Sequence, residues 1–74
     1  MQIKVKLFAT LREGREREQI MDVASDATPF DIIKKLNIPH EDVAILFVNG
    51  RDAMFDHKLN DGDTISIFPP VGGG

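Results

Sequence analysis

A single helix signal sits in this chain, with strand-like segments on both sides of it. In Thr28-Pro29-Phe30-Asp31, Thr28 is placed to cap the first amides, Pro29 suits the first helical position, and Asp31 closes a capping box three residues on. Phe30, Ile33 and Leu36, with Ile32 at their side, predict one apolar stripe for packing on a sheet. Lys34 and Lys35 fall near the negative end of the helix dipole, Asn37 suits the C-terminal cap, and Pro39 forbids continuation. The helix is therefore short, about two to three turns.

The flanking segments read as strands. Met1 to Phe8 alternates, with Ile3, Val5 and Leu7 on one face and Gln2, Lys4, Lys6 and Phe8 on the other. That alternation makes the N-terminus a strand rather than a signal peptide. A loop is expected from Ala9 to Arg17, where charges of alternating sign surround Gly14. Glu18 to Ala24 reads as a second strand whose core face is either Ile20 or the Met21/Val23 pair. Val43 to Val48 is a continuous apolar run, expected to be covered on both faces or nearly so. Asn49-Gly50 is a strong hairpin signal leading into a weaker strand around Arg51 to Phe55. Asp61-Gly62-Asp63 marks another tight turn, and Thr64 to Phe68 alternates with Ile65 and Ile67 inward.

One helix between two hairpin-like halves predicts an α+β fold, with the helix packed on one face of a mixed four- to five-stranded sheet. First and last strands paired as central neighbours would make this a β-grasp, or ubiquitin-like, architecture. A chain of 74 residues makes one domain and buries only about 60% of the surface its unfolded form exposes, so a deep substrate pocket is not expected. No cysteine is present, which excludes a disulfide framework, a thiolate metal site and a thiol nucleophile, and suits a cytoplasmic protein. A net charge of −3 argues against nucleic acid and fits a partner with a basic docking surface. No apolar run approaches the ~20 residues that span a bilayer.

The other distinctive segment is the end, Phe68-Pro69-Pro70-Val71-Gly72-Gly73-Gly74. Two prolines stop a strand ladder by removing two donors, and they stiffen the exit from it. Glycine backbone without side chains can be threaded into a narrow cleft, so the terminal carboxylate is itself a candidate functional group. On this reading residues 1–71 form the domain and residues 72–74 a tail that stays mobile until a partner holds it. Phe8 and Phe68 point away from the core in neighbouring strands. With Pro69, Pro70 and Val71 they predict an exposed apolar patch where a partner grips the root of the tail. Arg12 suits either a partner carboxylate or a role in steadying its loop.

Other chemistry finds little support. His40 and His57 lack neighbouring ligands at metal spacing, Asp61 and Asp63 flank a glycine as turn residues do, and no glycine-rich loop precedes a helix.

Phe8-Ala9-x-x-Arg12-Glu13, Phe55-Asp56-His57-x-Leu59-x-Asp61-Gly62-Asp63 and Phe68-Pro69-Pro70-Val71-x-Gly73-Gly74 closely resemble the small subunit of molybdopterin synthase. Thr28-Pro29 and Val48-Asn49-Gly50-Arg51 look more like the thiamine sulfur carrier. The segment between helix and fourth strand is shorter than in typical molybdopterin synthase small subunits, which leaves the pathway open.

The resemblance implies a sulfur carrier rather than a self-sufficient enzyme. An ATP-dependent adenylating enzyme would activate the carboxylate of Gly74, and a persulfide donor would convert it to a thiocarboxylate. The large subunit of molybdopterin (or tungstopterin) synthase would then receive the tail. Gly73 and Gly74 would be the reacting end, with Phe8, Arg12, Phe68, Pro69, Pro70, Val71 and Gly72 meeting the partner. No permanently bound cofactor or metal is implied. Two other readings stay open: a carrier for thiamine thiazole or amino-acid biosynthesis, and a ubiquitin-like protein modifier.

Overall fold

A computed structural model describes residues 1–70, so Val71, Gly72, Gly73, Gly74 and the boundary between domain and tail lie outside the described residues. Five strands form one mixed sheet: β1 (Gln2–Leu7), β2 (Glu18–Asp22), β3 (Ile45–Val48), β4 (Arg51–Asp52) and β5 (Thr64–Phe68), in the order β2-β1-β5-β3-β4. β1 and β5 pair in parallel at the centre, and the other neighbours are antiparallel. One helix, α1 (Pro29–Lys35), packs on one face of this sheet. The expected α+β, β-grasp arrangement is the one observed.

Alternation explains the central strands. Ile3, Val5, Leu7, Ile65 and Ile67 are at most 1% exposed and meet Ile32 and Ile33 of the helix. The intervening residues of β1 and β5 face away from the helix on the outer face. The ambiguity in β2 resolves the same way: Ile20 pairs with Lys4 and is 59% exposed, while Met21 and Val23 pack against the core.

Several expectations need correction. The helix buries Pro29, Ile32 and Ile33, with Leu36 partly buried, whereas Phe30 is 42% exposed. Residues 29, 32, 33 and 36 follow the i, i+3, i+4, i+7 spacing of one helical face, and Phe30 falls beside it. The capping box forms as expected, with Thr28 and Asp31 bonded reciprocally. Leu36 is the C-cap, and Asn37 follows it in the left-handed region at φ 58°. Arg15 completes that end: its Nε donates to the Leu36 carbonyl at 3.2 Å and its Nη2 to Asn37 at 3.1 Å.

The stretch 9–17 is not entirely a loop. Ala9–Arg12 forms a 3₁₀ turn that drives Leu11 into the core at 4% exposure. A second 3₁₀ turn, His40–Asp42, precedes β3.

β3 is shorter than the apolar run and is buried on one face only. Leu46 and Val48 point inward, Phe47 is half-buried, and Ile45 is 42% exposed. β4 has only Arg51 and Asp52, because the chain then turns so that Phe55 packs against the core and accepts the Phe30 amide on its carbonyl. Asn49 and Gly50 have φ of 53° and 82°, the paired left-handed residues of a type I′ turn.

Candidate functional site

The place where β5 ends is fixed from both sides. The Phe8 amide donates to the Ile67 carbonyl at 3.2 Å, and the Ala44 amide donates to the Phe68 carbonyl at 2.9 Å. Pro69 follows with no N–H to extend the ladder. It is half-buried beside Leu11, Thr10 and Asp42, and Pro70 is exposed.

Parallel register puts Phe8 beside Phe68, since Leu7 pairs with Ile67. Their rings stack at 4.2 Å between centroids with 10° between planes. Phe47 meets Phe68 edge-on at 5.6 Å, and Ile45 lies directly opposite Phe68 in the β3–β5 register. Phe8, Phe47, Phe68 and Ile45 therefore form one apolar cluster on the face of the sheet away from the helix. An apolar surface of this kind marks an interaction site more often than chance. All three phenylalanines are half-buried, and none belongs to the core on the helix side.

Arg12 borders this cluster. Its Nε donates to the Leu7 carbonyl at 2.8 Å and its guanidinium carbon lies 5.3 Å from the centroid of Phe8. Both contacts steady the loop, the second of the two roles its sequence position suggests. No carboxylate pairs with it among the described residues. Farther along the same face, Glu18 bridges Lys4 and Lys6 at 3.8 and 3.9 Å, exposed pairs of little energetic weight.

The structure thus brings together Phe8, Arg12, Phe68, Pro69 and Pro70. Ile45 and Phe47 were missed, because a continuous apolar run gives no sign of which residues face outward. The signal was available in combination: pairing with β5 and a period of two place 45 and 47 on the side of 66 and 68.

Elsewhere the side chains are occupied by the fold. Asp63 accepts from the Asn60 amide at 2.8 Å and from Asn49 Nδ2 at 2.9 Å, and Asp61 accepts from the Gln2 amide at 2.7 Å. These are turn contacts. A concavity open to solvent lies between Val23, Ala27 and the helix residues Asp31, Lys34 and Lys35, away from the end of β5. Among the described residues, no group of three His, Cys, Asp or Glu side chains could hold a metal ion, and no helix is long and apolar enough to cross a membrane. What this end of the molecule offers is a half-buried apolar surface beside the two prolines that end β5.

The chain is 36% identical to a molybdopterin synthase sulfur carrier subunit of Dictyostelium discoideum over 99% of this chain and 96% of the relative. It is 30% identical to small archaeal modifier protein 3 of Haloferax volcanii, with both chains fully covered. Among solved structures, SAMP1 from Haloferax volcanii superposes with a TM-score of 0.80 at 29% identity over the whole of both chains. A chain from the complex of subunits 1 and 2 of the molybdopterin-converting factor of Helicobacter pylori gives 0.68 at 25% identity, again over the whole of both. Residues 5–74 match the model of the ThiS family, and the chain is a member of that ubiquitin-like family.

Proposed function

We propose that this protein is a sulfur carrier whose reacting group is the α-carboxylate of Gly74, and that it serves as the small, sulfur-donating subunit of a molybdopterin (or tungstopterin) synthase. The observation that carries the reading is the apolar cluster of Phe8, Phe47, Phe68 and Ile45 at the point where β5 passes the chain to the tail. It supplies a grip beside a terminus that has no side chains to obstruct it. Full-length likeness to a sulfur carrier subunit and to one member of a two-subunit complex supports the same assignment.

A carboxylate is a poor acylating group, so activation precedes sulfur attack. In the proposed sequence an adenylating enzyme joins the Gly74 carboxylate to the α-phosphate of ATP, releasing pyrophosphate. The terminal sulfur of a donor persulfide attacks the carbonyl carbon and AMP leaves with its electron pair. A second donor thiol then cleaves the resulting S–S bond. That step releases the thiocarboxylate and leaves the donor as a disulfide. The carrier itself contributes no catalytic side chain. Phe8, Arg12, Phe68, Pro69, Pro70, Val71 and Gly72 make up the end of the molecule that the partner takes, joined by Ile45 and Phe47, and Gly73 lets the backbone pass where a β-carbon would not. Activation and sulfur donation would both take place in the cytoplasm.

A second reading is favoured by the likeness to archaeal modifier proteins: the same adenylate, resolved by a lysine amine into an isopeptide. Intact-mass analysis of the protein from its native host separates the two. The carrier reading expects the terminal oxygen replaced by sulfur and a synthase large subunit that co-purifies. The modifier reading expects diglycine remnants on lysines of other proteins. Deleting Gly74 is expected to abolish sulfur transfer while leaving the fold intact; transfer that persists in the deletion variant refutes the tail mechanism.

A further inference from the structure

The cluster at the end of β5 divides into two parts. In the first, Arg12, Phe8 and Phe68 form a continuous stack. The guanidinium is anchored by its 2.8 Å bond to the Leu7 carbonyl and lies over Phe8, and Phe8 lies nearly parallel to Phe68 at 4.2 Å. That separation is at the short end of aromatic pairs. Phe8 is thereby engaged by both Phe68 and the guanidinium, and it is half-buried. In the second part, Ile45 keeps 42% of its surface exposed opposite Phe68, and Phe47 touches Phe68 only edge-on. Ile45 therefore has contact area still to give.

Phe68 is also the residue before Pro69, whose ring fixes its own φ and restricts the residue preceding it. Its carbonyl is held by Ala44. The direction in which the chain leaves the sheet is therefore set at Phe68, and the stack is what holds the side chain of Phe68.

We infer that Phe8 and Arg12 are positioning residues: their stack on Phe68 aims the outgoing chain, while Ile45 and Phe47 supply the docking contact. This division rests on the carrier reading above. A reacting terminus a few residues beyond a fixed origin is sensitive to the aim of that origin. Misplacement of reacting atoms by about 1 Å can lower a rate by ~100-fold.

The test is ATP–pyrophosphate exchange by the adenylating enzyme of the same cell, with the carrier as the varied substrate. Phe8→Leu, which keeps apolar bulk but removes the ring, is expected to lower kcat about 10-fold or more with KM within about twofold. Arg12→Gln, at an exposed position where the fold is safe, is expected to do the same to a smaller extent. Phe8→Tyr keeps the stack and is expected to restore kcat, whereas Ile45→Ala is expected to raise KM. A purely structural defect would lower the amount of competent carrier and shift the unfolding midpoint, and Phe8→Tyr rescue with unchanged midpoints distinguishes aim from folding. If Phe8→Leu and Arg12→Gln instead raise KM and leave kcat at the wild-type value, they are docking residues and the inference is overturned. A wild-type chain that supports no exchange defeats the carrier reading itself, and the inference falls with it.

Discussion

Asn49 offers a quantitative test of what ties the β3–β4 turn to the start of β5. Its backbone has φ 53°, and its side chain joins two turns: Nδ2 donates to Asp63 Oδ1 at 2.9 Å and Oδ1 accepts the Thr64 amide at 2.9 Å. Asn49→Ala removes both bonds and forces a residue with a β-carbon and no local acceptor into the left-handed region. The conformation costs roughly 1–2 kcal/mol. Each exposed hydrogen bond adds about 0.5 kcal/mol, the low end of the usual range. The expected loss is therefore about 2–3 kcal/mol, a large share of the roughly 4–11 kcal/mol available to a domain of 74 residues. Asn49→Gly loses the same bonds without the conformational strain, and with its added chain entropy should cost roughly 1.5–2 kcal/mol. Urea unfolding followed by far-ultraviolet circular dichroism suits a chain without tryptophan or tyrosine. Equal m values are required before the two are compared. Equal losses in the two variants would mean that the left-handed backbone contributes nothing. Losses below about 0.5 kcal/mol in both would refute the bridge between the turns.

Asp31 is held below the ordinary carboxylate pKa of 3.8, first by the Thr28 backbone amide, then by the Thr28 hydroxyl and by Lys34. A depressed folded value means its contribution is fully present above 3.8 and is lost as pH falls through the folded value. The stability deficit of Asp31→Asn in urea titrations should accordingly be constant near neutrality and vanish in acid, and a deficit that grows in acid refutes the capping account. For Ile45→Ala, full burial of the side chain is worth about 1.5–3 kcal/mol. Only the 42% still exposed can be gained on docking. Calorimetric titration with the synthase large subunit should show a Kd weakened roughly three- to ninefold, and a change under about twofold removes Ile45 from the interface.

Much of this fold was legible because its signals are local. β1 and β5 alternate cleanly, the helix start combines three cap features within four residues, and both tight turns carry glycine at a positive φ. What failed was long-range. Leu11, in a short 3₁₀ turn, and Leu59, in a loop, are core residues that no hydrophobic period exposes. The spacing of Phe30 with Ile33 and Leu36 predicts it inward, yet it packs edge-on against Phe55 with Lys34 over its ring. The same limit governs the site. Phe8, Arg12, Phe68 and the prolines lie beside recognisable punctuation in the chain. Ile45 and Phe47 join them only through the pairing of β3 with β5, a contact between segments about twenty residues apart.

The two ends of the sheet are built by opposite means, and the contrast bears on function. At the start of β1 and β5, Asp61, Asp63 and Asn49 secure the chain with hydrogen bonds, joined by the Gly62 amide on the Gln2 carbonyl at 2.8 Å. At the far end, where β5 finishes, the side-chain contacts outside the core are aromatic apart from the Arg12 bond to the Leu7 carbonyl, and they are partly open to solvent. The helix-side core contains Ile3, Val5, Leu7, Ile65 and Ile67 from the central strands but none of Phe8, Phe47, Phe68 or Ile45. On the proposed function, folding depends chiefly on one face and recognition on the other. A carrier must be gripped and released by successive partners without losing its structure. That separation lets substitutions on the outer face alter binding or aim by large factors while the unfolding midpoint moves little, which is the pattern expected of Phe8, Arg12 and Ile45 variants and not of Ile65 or Ile67 variants.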